Sequence, residues 1–470
     1  MNLQMLIGGN HVAGNQSIDV IDPATGQVFA SCARGSREDF EDAVTAAAAA
    51  FPAWSQSTAE ARSALLIRMA EVIEANLESL ARTLTSEQGK PIPDAQAEVG
   101  GAAYFLRYYA GQTIPVELIE DSEARRIELH RRPLGVVAAI VPWNFPVLTA
   151  VNKVGAALLT GNTVVVKPAA TTPLATLEIA ALWKDLVPAG VVNVVTDNND
   201  LGDALTGHPL VRKVSFTGST TTGSKVMAAG SASLKRMTLE LGGNDSGIVL
   251  DDCDPEVVSQ QLFNSAFVNN GQVCIALKRL YVHESQYDAV CAKLAEIANA
   301  AVVGPGSQQG TQLGPVQNRV QFDKLRALIE ETRTEGTIIA GGDSPEGEGY
   351  FINPTIVRDI ADNARLVTDE QFGPVLPVMR FADIDDVVAR ANNTSFGLGN
   401  SVWSADPARA GAVAARLDSG SVWINKHGDI GPDTPFAGAK MSGVGIEMGM
   451  HGLLEFTQAK VMNYAKAARV

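Results

Sequence analysis

Residues 135 to 170 read GVVAAIVPWNFPVLTAVNKVGAALLTGNTVVVKPAA, and this stretch decides the fold. Two short β-branched runs, Val136 to Val141 and Thr163 to Lys167, flank a helix-compatible segment. The same alternation continues through Val191 to Val195, Arg212 to Phe216 and Gly247 to Leu250. Strands alternating with helices imply a parallel sheet covered on both faces. Ligands of such sheets bind beyond the carboxyl ends of the strands. Pro142-Trp143-Asn144-Phe145-Pro146 and Lys167-Pro168 both stand at strand ends. Asn144 therefore reads as a placed amide donor. Lys167 can donate to a ribose hydroxyl or phosphate, although a lone strand-end lysine is ordinarily just solvated.

Outward from this core, Leu66, Met69, Ile73, Leu77, Leu80 and Leu84 recur at helical spacing between Ala59 and Gln88, with Gly89 and Pro91 as stop signals. One long amphipathic helix is expected there. Glu123 to Arg132 sets Ile127 and Leu129 among charged residues, which suits a half-exposed strand or hairpin whose edge invites pairing with another subunit. A second α/β region runs from about Asp251 to Ser421.

The chain has 470 residues, 46% of them hydrophobic, enough for two or three domains with a large core. Its formal net charge of -15 disfavours a sequence-independent nucleic-acid phosphate-binding surface, so nucleic acid is not an expected partner. A basic leader followed by a long apolar run is not evident, and no apolar stretch approaches the ~18 residues of a membrane span. The four cysteines, Cys32, Cys253, Cys274 and Cys291, are too few and too irregular for a disulfide framework. A cytoplasmic protein is expected, without a membrane partner. No CxxC pair or HExxH occurs, so no metal site is expected.

Two side chains stand out chemically. Cys274 follows Asn269-Asn270-Gly271-Gln272-Val273. A free cysteine is ordinarily inert packing. Turn chemistry just before it can present the thiol near a helix N-terminus, where its thiolate would be stabilised. Glu240 lies between two leucines at the end of an apolar run, where a carboxylate must be paired, protonated or functional unless it turns into solvent. Gly242-Gly243 beyond it permits close approach of another group. Phe216-Thr217-Gly218-Ser219-Thr220-Thr221-Thr222-Gly223-Ser224-Lys225 suggests a phosphate loop, yet Lys225 follows Ser224, so the Walker logic fails, and the Rossmann GxGxxG is missing too. What remains is a strand, a Gly-rich turn and a helix N-terminus, a generic pyrophosphate site.

Taken together these segments resemble the aldehyde dehydrogenase superfamily over essentially the whole chain. The resemblance rests on Pro142 to Pro146, Lys167-Pro168-Ala169, Phe216 to Thr220, Glu240 to Asn244, Gly271 to Cys274, Glu370-Gln371-Phe372-Gly373-Pro374-Val375 and Pro435 to Gly443, all in family order. It implies a Rossmann-like parallel-sheet cofactor domain (1–113 and 134–244), an α/β catalytic domain bearing the thiol (245–435), and a small β oligomerisation arm (114–133 and 456–470). A segment, 436–455, returns to the cofactor domain.

The resemblance also assigns roles. Cys274 is expected to be the nucleophile, Asn144 with the Cys274 backbone N–H the oxyanion donors, and Glu240 the base that activates water. NAD or NADP is expected against Ile140, Pro142, Trp143, Lys167, Ala170, Phe216, Gly218, Ser219, Leu241, Gly242, Glu370 and Phe372. Lys153 and Glu447 match positions linked to proton relay. Many NAD-preferring members carry an acidic residue where this chain has Ala170, and its loss removes a repulsion against a 2′-phosphate. Homodimers or homotetramers are the rule in the family.

By the same matching, the aldehyde tunnel is lined by Phe145, Thr149, Asn152, Val273, Ile275, Ile430 and Phe436. Thr149 and Asn152 would admit a substituted or hydroxylated aldehyde, and with no Arg present a substrate carboxylate has no partner. An aromatic or medium aliphatic aldehyde is the expected substrate. The competing readings are a CoA-acylating relative, against which Glu240 argues, and a silent binding protein that kept the fold.

Overall fold

The structure, a computed structural model, describes residues 2–345 and 347–466. The runs that decide the fold become the strands Val136–Ile140, Thr163–Lys167, Val192–Val194, Val211–Thr217 and Arg236–Glu240. They pair in parallel inside an eight-stranded sheet. Val136–Ile140 and Thr163–Lys167 are buried throughout, as a strand covered on both faces must be. Helix Pro146–Leu159 opens on a proline, whose missing N–H would have been unpaired in the first turn anyway. Antiparallel strands close both sides of the sheet: Met5–Ile7 beside Val192–Val194, and Gly443–Val444 beside Arg236–Glu240.

The run expected at Gly247 to Leu250 forms Asp245–Val249, but it leaves this sheet. It pairs with Leu277–His283 and Gly399–Trp403 in a second, seven-stranded sheet that also holds Val375–Phe381 and Ser421–Ile424. Alternating apolar residues specify a strand and its faces, not its partner. The chain crosses from one sheet to the other through Leu241 to Asn244.

Two expectations change. The helix over Ala59 to Gln88 is broken at Asn76 (φ -114°, ψ 15°) into Ala59–Ala75 and Leu77–Gln88. The Asn76 side chain donates to the Val72 carbonyl at 2.8 Å, competing with the helical ladder as short amides do. The strand around Ile127 is Arg125–Pro133, and it is no edge: Glu117–Asp121 and Thr457–Ala465 flank it in a three-stranded antiparallel sheet. Residues 467–470 of the expected arm lie outside the described residues. No described helix is long and apolar enough to cross a membrane.

Candidate active site

Glu240 ends the strand Arg236–Glu240 of the first sheet, and Cys274 lies three residues before Leu277–His283 of the second. Both face one cavity of about 450 Å³, together with Asn144 and Pro142. Phe145, Thr149, Asn152, Val273, Ile275, Ile430 and Phe436 all line it too. So do Leu148, Val268, His427, Glu447 and Met448, which the tunnel assignment missed. No Arg or Lys stands among the lining residues.

Cys274 owes its place to an unusual lead-in. Asn269, Asn270 and Gly271 all have left-handed backbone (φ 50°, 57° and 71°), a region that asparagine tolerates better than most residues and glycine best. A side chain on Gly271 would put its Cβ 2.3 Å from the Gly373 carbonyl. Cross-links pin the turn: Asn144 donates to the Gln272 carbonyl at 2.9 Å, and Asn269 donates to the Asn144 carbonyl at 3.1 Å. A carboxamide carries two N–H donors, so Asn144 keeps one for another acceptor. The expected helix N-terminus beneath the thiol is not there. Cys274 sits in a turn that feeds directly into a strand, closed by the Ala276 N–H on the Val273 carbonyl at 3.1 Å. Burial pushes the thiol up to about 12, opposed chiefly by the nearby Lys278.

The Glu240 carboxylate is buried, and neither oxygen has a hydrogen-bond partner. Burial holds its carboxyl well above the usual range, with Glu447 raising it further and Lys153 opposing. Behind it lies a closed polar network. Lys153 pairs with Glu447 and donates to Ser215 at 2.9 Å. Asn152 donates to Glu447 at 3.2 Å and accepts from the buried Tyr109 hydroxyl at 2.5 Å. Glu447 lies 294 residues from Lys153 in sequence, which hides the pairing from local patterning.

Beside this pocket, the ends of the parallel strands carry a second set of groups. Ser219 caps helix Thr220–Ser231, accepting from the Thr222 N–H at 3.3 Å, with Gly218 before it. Thr217, which lines the Cys274–Glu240 cavity at its border with these strand ends, has Oγ1 buried without a partner. Ile140, Phe216 and Leu241 form an apolar floor in one cluster. Trp143 meets Phe372 edge to face at 5.2 Å, and Ala170 follows in the loop beyond Lys167. Glu370 accepts from the Gly243 N–H at 3.0 Å, and any Cβ on Gly242 would lie 2.2 Å from its carboxylate. An orphaned hydroxyl, a glycine cradle and a capped helix N-terminus fit a dinucleotide. One neighbour was not anticipated: the buried Asp197 carboxylate stands 2.7 Å from Lys167 Nζ, which also donates to Asn199 at 3.0 Å. An anion absent at Ala170 is thus present beside the lysine. Among the described residues no cluster of three or more His, Cys, Asp or Glu could hold a metal.

Comparisons with known proteins show the family to which the chain belongs. The aldehyde dehydrogenase family profile matches residues 11–462. The chain is 42% identical to a phenylacetaldehyde dehydrogenase of Pseudomonas fluorescens, covering 97% of this chain and 95% of that one. It is 38% identical to the mitochondrial aldehyde dehydrogenase of Mesocricetus auratus, over 95% and 91% of the two chains. Among solved structures, the NAD+ complex of aldehyde dehydrogenase from Bacillus cereus superposes with a TM-score of 0.96 at 36% identity, covering 99% of this chain and 97% of that one. The chain belongs to the aldehyde dehydrogenase family and oxidises an aldehyde with NAD or NADP as the acceptor.

Proposed function

We propose that Cys274 attacks the aldehyde carbon and that Glu240 activates the water that later frees the acid. The attack forms a C–S bond and places negative charge on the former carbonyl oxygen, where the free N–H of Asn144 and the Cys274 backbone N–H stabilise it. Lys167, Ser219, Glu370 and the Trp143–Phe372 pair would hold NAD or NADP, which would supply the hydride acceptor needed to turn this adduct into a thioester on Cys274. Water, deprotonated by Glu240, adds to the thioester carbonyl. The C–S bond then breaks, the carboxylic acid departs and the thiol is restored. Glu240 carries this reading, because both its oxygens are unpartnered at the same cavity as the thiol. A carboxyl raised toward neutrality is well matched to general-base work. Glu447 and Lys153 lie behind it and take the proton onward. A CoA-acylating enzyme would have no use for such a base.

The substrate class follows from the lining. Phe145, Val273, Ile275, Ile430 and Phe436 present apolar surface, and no cation waits for a substrate carboxylate. The Asn152 amide accepts from Tyr109 and gives one N–H to Glu447, so its second N–H and the Thr149 hydroxyl are the groups left to receive a polar substituent. An aromatic or medium aliphatic aldehyde fits, in keeping with the relative named for phenylacetaldehyde.

Residues 1–113 and 134–244 make the cofactor domain, 245–435 the catalytic domain, and 436–455 returns to the former. The sheet Arg125–Pro133, Glu117–Asp121 and Thr457–Ala465 serves a homodimer or homotetramer, with Leu118, Ile119, Val461 and Tyr464 exposed on it. The unpaired cysteines suit a cytoplasmic enzyme. Purified protein with phenylacetaldehyde and either nucleotide should raise absorbance at the reduced-nicotinamide band without CoA, and a semialdehyde acid should react far more slowly. Strict dependence on CoA would overturn the hydrolytic reading.

A further inference from the structure

A second group of charged side chains surrounds the backbone of the nucleophile, and the mechanism above does not use it. Lys278, almost wholly buried, donates from Nζ to the carbonyl of Cys274 itself at 2.5 Å. The same ammonium stands 3.5 Å from Glu370. The Asp245 carboxylate is buried close by, and neither of its oxygens accepts a side-chain hydrogen bond. A Cβ on Gly243 would lie 2.6 Å from the Cys274 carbonyl oxygen and 2.7 Å from Asp245 Oδ1, so the two oxygens share one glycine face. His427 completes the arrangement. It bonds the Ile275 carbonyl through Nε2 at 2.8 Å and Ser401 through Nδ1 at 2.9 Å, with Asp245 at 3.9 Å from Nε2. Burial lowers this imidazole to about 4, so it is neutral and Nε2 carries the proton.

We propose that Lys278 is a positioning residue that activates Cys274: its ammonium, tied to the carbonyl of the nucleophile's own residue, favours the thiolate, and Asp245 sets how much of that charge is felt. The proposal rests on Cys274 as nucleophile. A cation makes a thiol easier to ionise, and here no helix N-terminus performs that task. The charged groups facing the thiol are Lys278, Asp245, Glu370 and Glu240. Lys278 is the single cation among them, set against three carboxyls. Its attraction is therefore needed to offset both burial and their field. Burial raises the Asp245 carboxyl to about 8, with Glu370 adding to the rise and Lys278 and Arg279 opposing it. Below that pH it is neutral and its share of the field opposing Lys278 is absent, leaving Glu370 at 3.5 Å from the ammonium. Above it, the new carboxylate holds the thiol back.

The test is the pH dependence of Cys274 alkylation by iodoacetamide in the nucleotide-free enzyme, with the modified residue located by mass spectrometry. A thiol weaker by one unit loses tenfold in thiolate but regains part through higher intrinsic nucleophilicity, a net loss of about three- to fourfold. Lys278→Met should slow alkylation about threefold to tenfold between about pH 7 and 9, and Lys278→Arg should restore it to within about twofold. Asp245→Asn should accelerate alkylation about threefold near pH 9 and leave it unchanged near pH 6.5. Loosening of the turn would move both variants in the same direction, whereas this proposal requires opposite ones. A Lys278→Met profile superimposable on the parent's overturns it. If Lys278→Met does not fold, a failure of Asp245→Asn to accelerate the reaction at high pH overturns it as well. If Cys274 is not the residue whose alkylation inactivates the enzyme, the nucleophile reading fails instead.

Discussion

Glu240 and Cys274 reach one cavity from two sheets whose ends are built differently. Glu240 is the last residue of a regular strand, aligned residue by residue with Thr217 on one side and Gly443 on the other. Its backbone follows from the ladder, and its side chain is left without a partner. Cys274 stands outside any strand, behind three left-handed residues, and is fixed by side chains: Asn269 and Lys278 from the adjoining chain, and Asn144 and His427 from far away in sequence. A base that must meet water can be carried on rigid secondary structure with its carboxylate bare. A nucleophile whose backbone N–H must face the developing oxyanion cannot be spent on a ladder, so its turn has to be held by other means.

The contrast can be broken most severely at the thiol. Cys274→Ala should lower turnover by about four orders of magnitude or more, with nucleotide binding retained in a fluorescence titration. Replacing Cys32, Cys253 or Cys291 singly should leave most activity. Appreciable turnover without Cys274 would remove it from the mechanism.

On the opposite edge, Glu240→Gln keeps the strand and the size but cannot accept a proton. The steady rate should fall about a hundredfold to ten-thousandfold. Rapid mixing should still record a burst of reduced nicotinamide near one equivalent per site, with an acyl adduct on Cys274 by mass spectrometry. Absence of a burst while both ligands bind would place Glu240 before hydride transfer. In the parent enzyme, the hydrolytic rate should fall with decreasing pH through an apparent pKa well above 4.5, since the carboxyl is raised and only its ionised form accepts the proton.

Gly271→Ala tests the turn itself. With φ at +71° and the Gly373 carbonyl in the way, the substitution should cost about 1–3 kcal/mol in denaturant unfolding and depress kcat. An unperturbed variant would mean that the left-handed run is not what places the thiol.

The smallest effect is expected at the cofactor end. Ala170→Glu should reduce kcat/KM for NADP more than for NAD, because a carboxylate there repels a 2′-phosphate. Asp197→Asn should act in the opposite sense, raising NADP affinity relative to NAD about tenfold, the size of one moderately screened charge contact. Equal changes for both nucleotides would show that selectivity is set elsewhere.

Much of this was legible in the sequence for identifiable reasons. Glu240 between two leucines, followed by two glycines, is anomalous within its own window. Asn144 and Lys167 declare themselves by ending β-branched runs. Lys278 and Asp245 did not, because a cation in a strand and an acid after two glycines read as ordinary solvated residues until tertiary structure buries them around one carbonyl. Asp197 escaped for the same reason, since only the fold brings it to Lys167. Asn76 was hidden by a periodicity that runs on through the break, with Ile73 and Leu80 facing one core on either side of it. The two-sheet arrangement was blurred where Asp245–Val249 continues the pattern of the first sheet but pairs in the second.

The antiparallel strand Gly443–Val444, which lies against Leu239 and Glu240 while Ser442 accepts from the Leu241 N–H at 2.9 Å, bears on how the protein is made. Ribosomes add about 5–20 residues per second, so roughly 10–40 s separate the synthesis of Glu240 from that of the strand that covers it. A first sheet formed within that interval would have a bare edge ending in an acidic residue, open to stray pairing with other nascent chains. A chaperone that shields this edge, or a slower supply of growing chains, should raise the yield of active protein, while messages truncated before residue 443 should yield aggregates rather than a sluggish enzyme.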